Sequence, residues 1–222
     1  AQNTRDREAF QEINFQSMFG SISKWTAQID QVHRIPEYMT KAYNLSITGR
    51  PGPVVLSIPE NILSEGIEVS DTYRVPHFEA APEKSTKLAL EELFAKSICP
   101  MILVGGSSWC EEAKKNILFF TQKHSIPVVS GFRRQDIVDN NSPVFCGSLG
   151  TSVSDKLLKR VDQVDLLLVI GSRLGEITTK GYEILKLESS EKKLIHVHVD
   201  PGELGNLFVP DLAIVSSPKN FC

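Results

Sequence analysis

Apolar and polar positions alternate along the chain so that helices and strands are predicted in turn from residue 86 onwards. Apolar residues at helical spacing predict helices over residues 86–96, 111–124, 154–161 and 182–187. Short apolar runs predict strands over residues 101–104, 126–130, 144–146, 166–170, 194–199 and 212–215. Because strand–helix–strand connections are right-handed and join parallel strands, this order predicts an α/β fold with a doubly wound, mostly parallel six-stranded sheet.

The region before residue 66 carries fewer predicted elements than a complete domain needs. A helix is predicted over residues 35–46, and Gly49 after it can adopt the left-handed conformation that ends a helix. A strand follows over residues 54–58, and its apolar side chains face both ways, which is typical of a parallel strand covered by helices. We therefore expect residues 1–65 to be the C-terminal part of a second α/β domain.

Residues 66–82 separate these two regions and have the composition of a linker. They lack sustained periodicity and carry proline and acidic residues. The predicted organisation is a partial domain over 1–65, a linker over 66–82 and a complete domain over 83–222. The chain starts at Ala1 instead of methionine and stops where another helix begins, so we expect it to be an excerpt of a longer polypeptide.

Composition and charge argue against several classes of function. The formal net charge is −3 and the basic residues are dispersed, so no nucleic-acid partner is expected. No apolar run approaches the roughly 20 residues that cross a bilayer, so no integral membrane role is expected. The four cysteines form no Cys-x-x-Cys pair and follow no secretory segment, which predicts free thiols and a cytoplasmic location.

Ligands of open α/β sheets lie beyond the carboxyl ends of the strands, so the turns there are the first candidates for a site. Gly105, Gly106 and Ser107 follow a predicted strand and precede a helix, an arrangement that suits a pyrophosphate group. The turn lacks the Gly-x-Gly-x-x-Gly pattern of an NAD site. An ordinary connection between strand and helix explains it equally well.

Two further turns carry small residues or a cation. Gly171, Ser172 and Arg173 follow the most hydrophobic predicted strand, and the planar guanidinium of Arg173 suits a phosphate oxygen or a flat ring. A solvated arginine at a turn is the alternative. Gly147 and Gly150 would let a ring lie against the backbone, or they belong to a plain turn.

Histidine and acidic residues alternate at the end of the strand predicted over 194–199. His196, His198 and Asp200 share one face, but two nitrogens on one strand are a poor start for a metal site, so no metal is expected here. Asp200 is instead a strand-end carboxylate that can accept hydrogen bonds from ribose hydroxyls or an adenine amine.

Phe10 and Gln11 pair an aromatic ring with a neutral amide near the start of the chain. An amide donates and accepts hydrogen bonds without titrating, which suits contact with a polarised carbonyl. By itself the pair is equally consistent with an exposed surface segment.

Taken together and in order, these motifs resemble the acetolactate synthase branch of the thiamine diphosphate-dependent enzymes. The resemblance rests on residues 9–12, 22–24, 49–59, 105–106, 147–150, 171–173 and 195–201. It implies that residues 1–65 are the end of a pyrimidine-binding domain and that residues 83–222 are the Rossmann-like central domain.

The resemblance also implies roles for individual residues. Phe10 and Gln11 match the family's active-site pair near the substrate or the thiazolium ring, and they are the expected catalytic residues. The expected cofactor-binding residues belong to the central-domain turns and are Gly105, Gly106, Ser107, Gly147, Gly150, Gly171, Ser172, Arg173 and Asp200. FAD or another adenine nucleotide is the ligand they imply, although residues 174–177 depart from the FAD-binding pattern.

In such enzymes, thiamine diphosphate and Mg²⁺ depend on a glutamate early in the pyrimidine domain and on a Gly-Asp-Gly…Asn motif in a third domain. Neither is present here. The resemblance implies a parent transferase or lyase that acts on a 2-oxo acid as a carboligase or decarboxylase, whereas this chain alone is expected to be inactive. A homodimer or homotetramer is expected. Two alternatives stay open, a nucleotide-binding module for FAD, ADP or a CoA-like ligand, and a purely structural dimerisation module.

Overall fold

The computed structural model describes residues 2–70, 76, 78–185 and 192–222. The chain divides into two compact units, Ala1–Phe78 and Glu79–Cys222. The linker predicted over 66–82 includes residues 71–75 and 77, which lie outside the described residues.

The first unit is built around two parallel strands. Its elements are, in chain order, α1 (Phe15–Phe19), β1 (Trp25–Gln28), α2 (Ile35–Ile47), β2 (Val54–Ser57) and α3 (Glu60–Leu63). Trp25 pairs with Val54 at the start of the β1–β2 ladder. Gly49 follows α2 with φ of +58°, so the predicted left-handed helix end is confirmed.

Two features of the first unit differ from the sequence prediction. β1 was not predicted, because its alternating Trp-Thr-Ala-Gln sequence contains only one strongly apolar side chain. β2 was expected to be covered on both faces, but all four of its residues are only half-buried. Within the described part of the first unit, β2 pairs with a single neighbouring strand, β1.

The second unit contains a six-stranded sheet with every strand parallel to its neighbours. Its elements are α4 (Lys84–Lys96), β3 (Pro100–Val104), α5 (Glu111–His124), β4 (Val128–Ser130), β5 (Phe145–Ser148), α6 (Asp155–Asp162), β6 (Leu166–Ile170), α7 (Glu176–Thr179), β7 (Lys193–His198), β8 (Leu212–Val215) and α8 (Pro218–Phe221). The order across the sheet is β5-β4-β3-β6-β7-β8. The predicted doubly wound α/β fold with six strands is confirmed.

The helix predicted over residues 182–187 is wrong where the structure describes it. Residues 182–185 form turns, and the helix of this region is α7, which ends at Thr179. Lys180, Gly181 and Tyr182 all have positive φ, at +52°, +73° and +70°. Consecutive left-handed residues cannot continue a right-handed helix, so the helix stops before the apolar residues that suggested it. Residues 186 and 187 lie outside the described residues.

Alternate side chains of the central strands supply two hydrophobic clusters, one on each face of the sheet. Ile102, Leu168 and Ile195 belong to the cluster that α4 and α5 cover. Leu103 and Val169 belong to the other cluster, together with buried residues of α6. Burial on both faces explains why these strands read as continuous apolar runs and why the sequence predicted them well.

Candidate functional site

The sheet has a topological switch point between β3 and β6, which are neighbours in space but not in sequence. From β3 the chain winds outward through β4 to β5, and it then returns to β6 and winds the other way through β7 to β8. Open α/β sheets bind ligands outside the carboxyl ends of the strands at such a point. The turns after β3 and β6 are therefore the place to look for a site.

A crevice of about 500 Å³ lies there. It is lined by residues from the turns after β3, β4, β6 and β7 and from α7, namely Gly106, Phe132, Ser172, Arg173, Gly175, Glu176, Ile177, Thr178, Tyr182, Glu203, Asn206 and Leu207. Of the residues predicted from sequence, the lining contains Gly106, Ser172 and Arg173. The volume falls within the range of small-molecule sites, roughly 300–1,000 Å³.

The glycines of the two turns allow the turns to pack against each other. Gly106 has φ of +68°, and a Cβ placed on it would lie 1.8 Å from the carbonyl oxygen of Gly171. A Cβ on Gly171, at φ of +75°, would lie 2.6 Å from the Gly105 oxygen. A Cβ on Gly105 would lie 2.9 Å from Cβ of Ser172. The space that the missing side chains leave is filled by the neighbouring turn, whereas the sequence suggested space for a ligand.

The helix that follows the first turn is poorly suited to an anion. α5 begins at Glu111, and both Glu111 and Glu112 lie in its first turn. The backbone N–H of Ala113 donates to the Cys110 sulfur at 3.5 Å. These two carboxylates already lie at the positive end of the helix dipole, so they would repel a pyrophosphate group bound there. Ser107 is exposed on the turn before the helix.

Arg173 brings the cation of the crevice, and two acidic residues accompany it. One guanidinium nitrogen of Arg173 lies 3.9 Å from a carboxylate oxygen of Glu203, and 49% of the Arg173 side chain is exposed. Glu176 also lines the crevice. One arginine against two glutamates leaves the lining with an excess of one negative charge. This balance disfavours a diphosphate and suits groups that donate hydrogen bonds.

The backbone around Arg173 is held in an unusual conformation. Leu174 has φ of +54°, although its side chain is only 1% exposed within the core. Its backbone N–H donates to the Ser172 hydroxyl at 3.3 Å. A left-handed leucine costs about 1–2 kcal/mol, so the surrounding contacts must enforce it. The conformation buries Leu174 while Arg173 before it stays exposed to the crevice.

His196 forms a hydrogen bond that holds the same turn in place. Its ring nitrogen Nε2 lies 2.8 Å from the carbonyl oxygen of Ser172, so Nε2 carries the hydrogen and donates it. Burial lowers the pKa of His196. Within the described residues its other nitrogen, Nδ1, has no hydrogen-bond partner. His196 therefore acts as a neutral donor that positions the Ser172 carbonyl.

His198 and Asp200 shape the turn after β7 instead of facing the crevice. The backbone N–H of Asp200 donates to Nδ1 of His198 at 3.1 Å. The N–H of Gly202 donates to the Asp200 carboxylate at 2.9 Å, which caps the short 3₁₀ helix Pro201–Glu203. Asp200 is absent from the lining, and Glu203 is the carboxylate that this turn presents. Across the described residues, no three His, Cys, Asp or Glu side chains are grouped as metal ligands.

Gly147 and Gly150 do not line the crevice either. Gly147 lies within β5 at φ of +119°, and a Cβ there would lie 3.4 Å from a methyl carbon of Leu157. A Cβ on Gly150 would lie 3.3 Å from the ring of Phe132. Both glycines thus contact apolar side chains. Gly150 reaches the site only through Phe132, which is itself in the lining.

Phe10 and Gln11 belong to the first unit, on a short loop that is closed by Glu12. The Glu12 carboxylate accepts the backbone N–H of Asp6 at 2.7 Å and of Ala9 at 3.1 Å. These bonds hold the pKa of Glu12 below its ordinary value. Gln11 has φ of +60°, and Phe10 is 93% exposed. The loop therefore presents the ring and the amide outward.

The structure is that of an α/β protein with a crevice at a topological switch point. Residues 89–222 match the sequence model of the family described as "Thiamine pyrophosphate enzyme, central domain". The match covers more than half of the chain, so the chain belongs to the thiamine pyrophosphate enzyme family. Within the described residues, no helix has the length and apolar character needed to cross a membrane.

Curated relatives extend the similarity over both units. The chain is 28% identical over 221 residues to a probable acetolactate synthase large subunit of Methanocaldococcus jannaschii, covering 96% of this chain and 37% of that protein. It is 28% identical over 219 residues to the acetolactate synthase large subunit of Lactococcus lactis, with the same two coverages. It is 23% identical over 216 residues to the glyoxylate carboligase of Escherichia coli O157:H7, covering 96% of this chain and 36% of that enzyme.

A solved structure shares the fold. Benzoylformate decarboxylase from Polynucleobacter necessarius superposes with a TM-score of 0.74 at 22% identity, over 90% of this chain and 37% of that one. The resemblance to the acetolactate synthase branch of thiamine diphosphate enzymes is confirmed. The chain spans only about 37% of the length of the first of these relatives.

Proposed function

We propose that this chain is part of a thiamine diphosphate-dependent enzyme that acts on a 2-oxo acid as a carboligase or decarboxylase. The observation that carries the proposal is the match of residues 89–222 to the central domain of thiamine pyrophosphate enzymes. Relatives named acetolactate synthase and glyoxylate carboligase support this class of reaction. Thiamine diphosphate, when bound with Mg²⁺, supplies the stabilised carbanion that such reactions need.

We assign the contribution of the first unit to the loop that Glu12 closes. Two backbone N–H groups bind the Glu12 carboxylate, so the loop is held in shape without contacts from Phe10. Gln11 adopts a left-handed backbone, which costs a non-glycine residue about 1–2 kcal/mol and is a common mark of functional positions. In this proposal the Gln11 amide hydrogen-bonds the substrate and the Phe10 ring excludes water beside it.

Cofactor binding tests the proposal. Calorimetric titration with thiamine diphosphate and Mg²⁺ is expected to show saturable binding to the full-length polypeptide. Gln11→Ala in the full-length polypeptide is expected to leave cofactor binding unchanged and to lower turnover. Glu65→Ala, a substitution at an exposed position of the first unit, is the control and is expected to change neither cofactor binding nor turnover. Failure of the full-length polypeptide to bind the cofactor contradicts the proposal.

A nucleotide in the central crevice is the second candidate, and the position of Arg173 favours it. A guanidinium stacks on flat rings, and the Glu203 and Glu176 carboxylates accept hydrogen bonds from ribose hydroxyls. The excess negative charge and the acidic start of α5 oppose a diphosphate. The crevice thus fits the nucleoside part of FAD or ADP better than the phosphates.

Thermal melting with each ligand tests this second candidate. Saturating FAD or ADP is expected to raise the melting temperature of the chain, and Arg173→Ala is expected to remove most of that rise. Lys115→Ala, which removes an exposed cation of α5 outside the lining, is the control. If FAD, ADP and CoA all leave the melting temperature unchanged, the proposal that the crevice holds one of these nucleotides is wrong.

Location and assembly complete the proposal. All four cysteines are free thiols, which supports a reducing compartment such as the cytoplasm. We infer assembly as a homodimer or homotetramer from the resemblance to the acetolactate synthase branch. Light scattering of the full-length polypeptide measures this directly, and a monomeric mass contradicts it.

A further inference from the structure

A second cavity lies at the opposite end of the six-stranded sheet from the crevice. It has a volume of about 560 Å³ and is formed where β3, β4 and β6 begin. We call it the basic cavity, because its lining includes Lys156, Lys159 and Arg160. The function proposed above does not use it.

One face of α6 supplies these cations. Lys156, Lys159, Arg160 and Gln163 are spaced at i, i+3, i+4 and i+7, so they share one face of the helix and its last turn. Leu157, between them in sequence, is buried on the opposite side in the core. α6 is therefore amphipathic, with its polar face lining the basic cavity and its apolar face packed in the core.

The charges of the basic cavity are not compensated by protein carboxylates. The lining contains no aspartate or glutamate. Within the described residues, Lys156, Lys159 and Arg160 form no ion pair, whereas Lys87 and Lys96 pair with glutamates of their own helix. α6 also carries Asp155 and Asp162, which do not line the basic cavity, so the excess of positive charge belongs to the lining and not to the helix as a whole.

One of the acidic residues next to this lining in sequence, Asp165, is already engaged in hydrogen bonds. Asp165 follows the lining residue Val164, and its carboxylate accepts the Ser97 hydroxyl and the backbone N–H groups of Ile98 and Cys99. These hydrogen bonds outweigh its burial and hold the pKa of Asp165 below its ordinary value. The Asp165 carboxylate thus orders the edge of the basic cavity.

The dipole of α6 does not account for the arrangement. Cations are favourable in the last turn of a helix, which explains Lys159 and Arg160. Lys156 lies in the first turn, where the dipole disfavours a positive charge. A bound anion would compensate all three side chains.

Below the charged rim, the basic cavity has an apolar floor. Met101 is 1% exposed, and Ile126 and Val164 are each 6% exposed. An apolar floor lowers the local dielectric and strengthens interactions between the rim cations and an anion. We propose that the basic cavity binds a small phosphorylated ligand through a diphosphate group, whose charge is opposite to that of the three cations in the lining.

Cys99 gives a direct readout of occupancy, because it is exposed and lines the basic cavity. Inorganic pyrophosphate is the probe, added to the full chain at constant ionic strength. Calorimetry is expected to show saturable binding with Kd below about 1 mM. Alkylation of Cys99 by iodoacetamide is expected to slow as the cavity fills, whereas alkylation of Cys146 is not.

Paired variants separate a specific site from general charge. The double variant Lys156→Ala/Arg160→Ala is expected to weaken pyrophosphate binding at least about tenfold, the loss expected when even one charged hydrogen bond is removed. The control Lys87→Ala/Lys96→Ala removes the same charge from exposed positions of α4 and is expected to bind as the parent chain does.

Two results would overturn the proposal. One is the absence of saturable pyrophosphate binding, or an equal loss of affinity in both double variants. The other is protection of Cys99 by an oligonucleotide or acidic peptide but not by pyrophosphate, which would make the basic cavity part of a macromolecular interface. Both results concern pyrophosphate at the basic cavity, whereas the function proposed above is tested by cofactor-dependent turnover of a 2-oxo acid, so the two proposals can fail independently.

Discussion

Replacing Gly106 by alanine tests the packing of the two turns at the switch point. The new Cβ would lie 1.8 Å from the Gly171 carbonyl oxygen, far inside van der Waals contact, and φ at this position is +68°. The positive φ costs alanine about 1–2 kcal/mol, and forced overpacking costs typically about 1–3 kcal/mol more. We expect the free energy of unfolding of the second unit to fall by about 2–5 kcal/mol.

Gly181→Ala is the matched control for this substitution. Gly181 has nearly the same φ, +73°, but no atom lies within 4 Å of its added Cβ. Gly181→Ala is therefore expected to lower the free energy of unfolding only by the cost of the positive φ, about 1–2 kcal/mol. The difference between the two variants isolates the contribution of the close approach between the turns.

Urea unfolding followed by tryptophan fluorescence is the assay. The indole N–H of Trp109 donates to the Gly105 oxygen at 2.7 Å, so Trp109 reports on this turn. Trp25 lies in the first unit, and Trp25→Phe in all variants leaves Trp109 as the single tryptophan reporter. If Gly106→Ala is no less stable than Gly181→Ala, the turns do not require glycine for packing, and the role assigned to Gly106 is wrong.

Three further predictions follow from titratable groups. Asp165→Asn weakens three hydrogen bonds and is expected to lower the free energy of unfolding by about 1.5–3 kcal/mol at neutral pH. Because the pKa of Asp165 is lowered in the folded state, this difference is expected to shrink in urea titrations below about pH 4, where the carboxylate protonates. Because burial lowers the pKa of His196 in the folded state, the parent chain is expected to lose stability as the pH falls below about 6.5, the pKa of histidine in the unfolded chain. His196→Gln is expected to lose less stability over the same pH range. Equal losses in the two proteins would contradict the role of His196 as a buried neutral donor. Burial raises the pKa of the Cys222 thiol to about 12, so peptide mass spectrometry at about pH 8 is expected to find Cys99 alkylated well before Cys222.

The sheet of the second unit was predictable because its strands are short apolar runs between turn residues. Leu166–Ile170 is buried along its whole length, and its sequence shows this directly. The helix predicted over residues 182–187 was wrong because Lys180 and Tyr182 adopt left-handed conformations, which their residue types do not suggest. β1 was missed because its polar residues hide the strand pattern.

The candidate site was predictable only in part, because it depends on which strands are neighbours. Arg173 was found from its place at a strand end, and the structure puts it in the crevice. The contact between Gly106 and Gly171 depends on the β3–β6 pairing, which local sequence does not reveal. Glu203 was missed because Asp200, on the same turn, has the more conspicuous position at the end of the strand.

Carbon dioxide release from a 2-oxo acid tests the central claim most directly. The assay uses the full-length polypeptide with pyruvate, glyoxylate or benzoylformate, in the presence and absence of thiamine diphosphate and Mg²⁺. We predict that at least one of these acids releases carbon dioxide only when the cofactor is present, and that the 222-residue chain alone causes no release. Absence of release from all three at saturating cofactor, or equal release without cofactor, would contradict it.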